Sequence, residues 1–172
     1  MIFVPDDLKT RRCRIAALRT EDARALQAIT DASVISRVHF LSAPFTLADA
    51  EALIRGGEDG HRFFGVWSRE APQLFGVVGA TPRSLYEIEV GYWFAAAARG
   101  RGLAGEAVEA MAAALADRNP VSRIVAECRP DNRPSWQLLE RVGFASAGRK
   151  GERPGREMLF WRARSGVRFD VC

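Results

Sequence analysis

Apolar and polar positions change their period several times along this 172-residue chain, and each change marks an element. Arg12–Leu18 reads as a short strand. Thr20 then reads as a helix cap, with Glu21 and Asp22 in the first turn, where acids favour the helix dipole. Leu26 and Ile29 begin the apolar face of that helix. After an irregular stretch, Arg37–Phe45, the run Thr46-Leu47-Ala48-Asp49 approaches a capping box and opens a second helix through Ile54. Gly56, Gly57 and Gly60 stop it. Arg62–Ser68, Leu74–Thr81 and Tyr86–Phe94 are strand-like, and their short connections predict an antiparallel meander. Leu103, Ala107, Met111, Ala114 and Leu115 then recur at helical spacing until Asn119-Pro120. Ile124–Cys128 is a strand, and Asp131-Asn132-Arg133-Pro134 starts a helix to Arg141, capped by Gly143. Phe144–Ala147 and Glu157–Trp161 are closing strands, with a tail from Gly166.

The order β-α-α-β-β-β-α-β-α-β-β predicts an α+β fold. Its sheet is mixed but mostly antiparallel, a β-α-β crossover lies in the middle, and helices cover both faces. The length suits one domain spanning residues 1–172, with its core over about 8–162 and the remainder a tail.

Composition narrows the classes. Apolar residues at 48% and charged residues at 27% are those of an ordinary globular protein. The formal charge of +4 comes almost wholly from arginines spread along the chain, Lys9 and Lys150 excepted. A dispersed charge argues for anionic small ligands and against nucleic acid. The local cluster Arg11, Arg12, Arg14 and Arg19 reads as the solvated side of an edge strand. Cys13, Cys128 and Cys172 form no CxxC, and His39 and His61 have no metal-binding spacing, so no metal site is expected. No run is long and apolar enough for a membrane span, and the acidic start is unlike a signal peptide. The expectation is a cytoplasmic protein, monomeric or homodimeric, with Trp136 as a surface or dimer contact.

The segment Ala98–Ala107, ARGRGLAGEA, is the strongest chemical signal. A helix start leaves amides unpaired and its dipole favours an anion. Gly100 and Gly102 permit close approach of a ligand. Arg99 and Arg101 place cations where they oppose the helix dipole, a conflict that bound phosphate relieves. Gly100-x-Gly102-x-x-Gly105 also satisfies a dinucleotide fingerprint, with Glu127 near the distance of a ribose-binding acid. Against a dinucleotide fold, the preceding strand carries Glu87 and Glu89, Ala95–Arg99 intervene before the first glycine, and too little chain follows Gly105.

Several segments together resemble the GCN5-related N-acetyltransferase (GNAT) superfamily, in particular its ribosomal-protein N-acetyltransferase, or RimJ/RimL-type, branch. Arg99-Gly100-Arg101-Gly102-Leu103-Ala104 resembles that family's pyrophosphate loop, and Glu89–Phe94 the strand before it. Asn132-Arg133-Pro134-Ser135 with Glu140–Phe144 resembles its N-x-x-S…E-K-x-G-F segment. The resemblance implies acetyl-CoA as cofactor, with its pyrophosphate on Gly100, Gly102 and Ala104. The pantetheine arm would run between Gly91–Phe94 and Ile124–Cys128, pair with main-chain groups of Tyr92, Trp93 and Phe94, and meet Asn132 further along.

Acetyl transfer needs an unprotonated amine and a stabilised leaving thiolate. An α-amine, with a pKa of roughly 7.7–8.0, loses its proton more readily than a lysine. Glu87 and Glu89 share a strand face; Glu89 occupies the family's position and is the candidate base, acting through water, with a salt bridge to arginine as the competing reading. Ser135 shares a helical stripe with Leu138, Leu139 and Val142 and is the candidate for stabilising the departing sulfur, since Leu139 stands where many members have a tyrosine. A hydroxyl bonded to its own helix turn is the alternative.

His39, Phe40 and Phe45 lie where the family's acceptor site opens and are expected to line it or to form a hydrophobic lid. Phe63, Phe64 and Phe75 read as core, and Cys128 as a buried small hydrophobe. Cys13 and Arg156-Glu157-Met158 depart from the family's usual residues. The resulting expectation is direct acetyl transfer to a primary amine, either a protein N-terminus or a small molecule. A non-catalytic acyl-CoA sensor and, more weakly, a dinucleotide-binding protein remain as alternatives.

Overall fold

The computed structural model describes residues 6–56 and 60–163. Gly57, Cys172 and the expected tail from Gly166 lie outside them. Eight strands form one sheet in the order β1-β2-β3-β4-β5-β6-β8-β7. They are β1 (Asp7–Lys9), β2 (Cys13–Ala17), β3 (Arg62–Ser68), β4 (Leu74–Ser84), β5 (Glu87–Phe94), β6 (Arg123–Cys128), β7 (Phe144–Lys150) and β8 (Glu157–Trp161). Five helices accompany them: α1 (Ala23–Ile29), α2 (Ala32–Ile35), α3 (Leu47–Arg55), α4 (Leu103–Arg118) and α5 (Arg133–Arg141). Among the described residues only β5 and β6 pair in parallel, as expected of the strands joined through α4. The architecture is the mixed α+β fold expected from the pattern.

Alternation along the central strands divides the core in two. Ile88, Val90 and Phe94 of β5 pack with Val78 beneath Leu103, Ala107, Met111 and Leu115 of α4. Trp93 and Val77 turn the other way, toward Leu26, Val34 and Ala50 of α1–α3. Every α4 position marked by the 3.6-residue period is buried. Fully burying a leucine or methionine there contributes about 1.5–3 kcal/mol relative to exposure.

Several expectations need correction. Thr20 does not cap a helix: Thr20–Asp22 is a 3-10 turn, and the Asp22 carboxylate accepts from the Arg19 amide at 2.8 Å. The strand inside the arginine cluster, β2, holds only Arg14 of the four and is not an edge strand, because β1 covers it. Arg14 pairs with Asp7 of β1, and Arg12 reaches Glu106 of α4. The strand expected to stop at Thr81 continues through Pro82 to Ser84, with a register shift between Pro82 and Ser84. Proline weakens a ladder without forbidding an irregular one. This extension carries Arg83 into the site. The Thr46–Asp49 capping box forms as written, with the Asp49 carboxylate accepting from the Thr46 amide at 2.8 Å.

Candidate active site

The two parallel strands part soon after they meet. β5 and β6 pair only over Glu87↔Arg123, Ile88↔Ile124 and Glu89↔Val125. Beyond that point β6 pairs with β8, while Gly91–Phe94 pair with β4 alone. The β6-facing main-chain edge of this part of β5 therefore lacks a strand partner among the described residues. An unpaired edge is a template for an extended ligand. A groove of about 1920 Å³ runs through the split, bordered by α4, α5, the 37–45 segment and the β7–β8 loop.

At one end lies the start of α4. Gly102 precedes its first residue with φ 76°, and Gly100 has φ 71°. Both angles lie in the left-handed region that glycine adopts without strain. A Cβ built on Gly100 would meet nothing within 4 Å, so that side of the loop is open. The first intrahelical bond here is Glu106 N–H to the Gly102 carbonyl, which leaves the amides of Leu103, Ala104 and Gly105 without intrahelical partners. These features fit a phosphate group.

The arginines divide their work differently from the sequence expectation. Arg99 donates from Nε to the Phe94 carbonyl at 3.0 Å and from its terminal nitrogen to Ser33 Oγ at 2.9 Å, strapping the loop to β5 and α2. Arg101 lies over the Phe75 ring, 5.5 Å from its centroid. Arg12, read from sequence as merely solvated, donates to the Arg101 carbonyl at 2.8 Å, and its guanidinium is 3.2 Å from where a Gly102 Cβ would sit. It is also anchored on Glu106, which accepts from Thr10 Oγ1, the Arg12 amide and Arg12 Nε. Burial alone raises a carboxylate, but these donors hold Glu106 below its usual range.

In the middle of the groove, Tyr92 of β5 meets Ser135 of α5. Their hydroxyl oxygens are 2.7 Å apart. Burial pushes the Tyr92 phenol well above its ordinary value, so it stays protonated. The Cys128 thiol, raised chiefly by burial, also neighbours the Ser135 hydroxyl. The sequence pattern implies only a main-chain role for Tyr92, because the contact of its phenol with Ser135 depends on β5 and α5 lying side by side. Asn132 borders the groove beside them, and its side chain makes no hydrogen bond among the described residues.

On the opposite face of β5, Glu89, Gly91 and Trp93 follow one another. Trp93 belongs to an aromatic box with Phe63 at 5.8 Å and Phe40 at 6.1 Å between ring centroids. His39 packs edge-on against Phe40, and His61 stacks on Phe63. Phe63, expected in the core, is thus part of the groove wall. His39, Phe40 and Phe45 all border the groove; Phe45 is buried, while Phe40 is 49% exposed. Burial, reinforced by the guanidinium groups of Arg153 and Arg156, pushes His39 down and keeps it neutral near pH 7.

Glu89 is buried in a charge network. Arg83 reaches Glu89 at 3.2 Å and Glu127 at 3.1 Å, and Arg153 reaches both carboxylates as well. Glu127 is thereby committed to arginines and to the backbone amides of Glu152 and Arg153, not to a ribose. No group of three or more metal-ligating side chains occurs among the described residues. No described helix is long and apolar enough to cross a membrane.

Comparison with known proteins agrees with this geometry. Residues 12–145 match the family model described as the acetyltransferase (GNAT) domain. The uncharacterized N-acetyltransferase YnaD of Bacillus subtilis is 26% identical over 143 residues, covering 82% of this chain and 84% of that one. Among solved structures, a ribosomal-protein-S5-alanine acetyltransferase from Vibrio fischeri superimposes with a TM-score of 0.71 at 17% identity, covering 93% and 97% of the two chains. Spermidine N-acetyltransferase from Vibrio cholerae, in complex with CoA and spermine, gives 0.71 at 17% identity, covering 88% and 94%. With the split strands, the glycine loop and the family model spanning most of its length, the chain belongs to the GNAT acetyltransferase family.

Proposed function

We propose that this protein is an acetyl-CoA-dependent N-acetyltransferase that works by direct attack of a primary amine. The single observation that carries this reading is the parting of β5 from β6 beside the open turn at Gly100–Gly102. Gly100, Gly102, Leu103 and Ala104 would hold the pyrophosphate, with Arg101 and Arg12 supplying charge and Arg99 fixing the loop. The edge of β5 at Tyr92–Phe94 and the Asn132 side chain would hold the pantetheine arm. When bound, acetyl-CoA supplies an activated thioester carbonyl.

The amine enters on the Gly91 face, between the aromatic box and the charge network. With acetyl-CoA held there, the amine lone pair would form the new C–N bond as the C–S bond broke and the sulfur left with the electron pair. The surplus proton on nitrogen passes through water toward Glu89. Because two guanidinium groups already meet its oxygens, Glu89 acts through water and not by direct contact. The Ser135 hydroxyl, backed by the Tyr92 phenol, donates to the departing sulfur. A serine flanked by a phenol supplies in two residues what a single tyrosine supplies elsewhere in the family.

The branch resembled in sequence, RimJ/RimL-type, adds a protein N-terminus as one acceptor class, with a small-molecule amine as the other. The test is incubation with acetyl-CoA, a panel of peptide and small-molecule amines, and a thiol reagent. Amine-dependent CoA release is the expected result. CoA binding without release for any amine would favour the non-catalytic sensor, and stabilisation by NAD but not CoA would overturn both.

A further inference from the structure

The aromatic box and the charge network lie on either side of Gly91, and one guanidinium of the network, Arg156, meets no carboxylate at ion-pair distance among the described residues. Glu89, Gly91 and Trp93 alternate along β5, so the charged and aromatic walls each lie about 7 Å from the glycine, two residues of strand rise. A Cβ on Gly91 would meet nothing within 4 Å, so the floor between the walls is open.

The buried carboxylates of this wall are already committed. Glu127, whose side chain is fully enclosed, meets Arg83 and Arg153, and Glu89 meets the same two arginines. Arg83 also reaches the exposed Glu152 at 2.5 Å. Arg156, half-buried on the groove wall, makes no hydrogen bond or close ion pair through its guanidinium among the described residues; Glu127 and Glu89 attract it only from further off and are themselves held by Arg83 and Arg153. Arg83 Nε is a buried donor in the same condition. A desolvated guanidinium without an anion is costly, and a bidentate carboxylate is its best-matched partner. A polyammonium ligand, by contrast, finds no uncommitted carboxylate in this wall. His39, lowered first by burial, is lowered further by Arg153 and Arg156, whose charge reaches this part of the groove.

We propose that the acceptor is an amine that also carries a carboxylate, held by Arg156, with an apolar or aromatic portion against Phe40, Phe63 and Trp93. This substrate class rests on the acetyl-transfer reading of the same groove. An α-amino acid has this chemistry, as does a peptide with an acidic side chain close to its N-terminus. Arg156 supplies the anion site, and Arg83 and Arg153 neutralise the two glutamates that would otherwise repel the carboxylate.

The test uses the full chain saturated with CoA and reads binding by saturation-transfer NMR, with acetyl transfer measured separately by thiol release. The probes are L-phenylalanine against phenethylamine, and the peptide amide Ala-Glu-Ala against Ala-Gln-Ala. At least one acid is expected to bind about tenfold or more tightly than its neutral counterpart, the yield of one charge-assisted hydrogen-bond pair. Arg156→Gln should bring that ratio to within about twofold of one, and Arg156→Lys should restore part of it. The melting temperature of each variant separates a binding loss from a folding loss. Preference for the free amino acid alone assigns a small-molecule acceptor, and preference for the acidic peptide assigns a side-chain carboxylate. Carboxylate-selective binding without thiol release keeps Arg156 as an anion site but removes the catalytic reading and, with it, the acceptor role proposed here. Equal binding of acid and neutral probes, a preference that survives Arg156→Gln, or better transfer to phenethylamine or spermidine overturns it.

Discussion

Tyr92 Oη and Ser135 Oγ, 43 residues apart in the chain, lie 2.7 Å from each other where β5 meets the first turn of α5. The phenol is held protonated by burial, so at neutral pH either hydroxyl of the pair can donate to the other. Ser135→Ala and Tyr92→Phe should therefore lower kcat with little change in the KM for acetyl-CoA. Each loss should be about tenfold, the equivalent of one hydrogen bond made in the transition state. Steady-state kinetics of the double variant should show a loss smaller than the product of the two, because the hydroxyls act as a unit.

Gly102 tests the phosphate cradle. Its φ of 76° disfavours any side chain, and a Cβ would stand 3.2 Å from the Arg12 guanidinium. Gly102→Glu adds an anion at the site of the expected pyrophosphate and should abolish CoA binding by calorimetry, with circular dichroism unchanged. Unaltered affinity would remove the cradle from the account.

Glu106 ties α4 to the β1–β2 hairpin and makes stability depend on acid pH. Its folded-state value lies below the ordinary 4.5. A depressed carboxylate contributes stability that is fully present above its unfolded value and is lost as pH falls through the folded one. Below about pH 4.5 the wild type should thus lose stability more steeply than Glu106→Gln. At pH 7 that variant should be less stable by about 1–2 kcal/mol, read by urea titration.

Glu127 is the enclosed centre of the charge network. Removing one partner of a buried pair leaves opposing charges uncompensated, typically a loss of 3–5 kcal/mol. Glu127→Gln should destabilise by about this amount in urea titration. The paired replacement Glu127→Gln with Arg153→Met should recover part of the loss.

Periodicity determined the longer helices and strands of this protein, since the 3.6-residue stripe of α4 and the alternation in β3–β5 are local consequences of burying one face. The glycines at 100 and 102 announced the loop because their backbone conformation is itself a local property. β1 was missed because three residues carry too little period to detect. α2 was missed for a similar reason: four residues complete barely a turn. What only the tertiary structure decided is the partnership of distant side chains. Arg12 with Glu106, Tyr92 with Ser135, and Arg83 with Glu89 and Glu127 each depend on where the sheet turns back on itself. Glu89 read alone was as readily a free carboxylate as a paired one. Pairing is a contest of distance and desolvation between groups far apart in sequence, and only packing sets those distances.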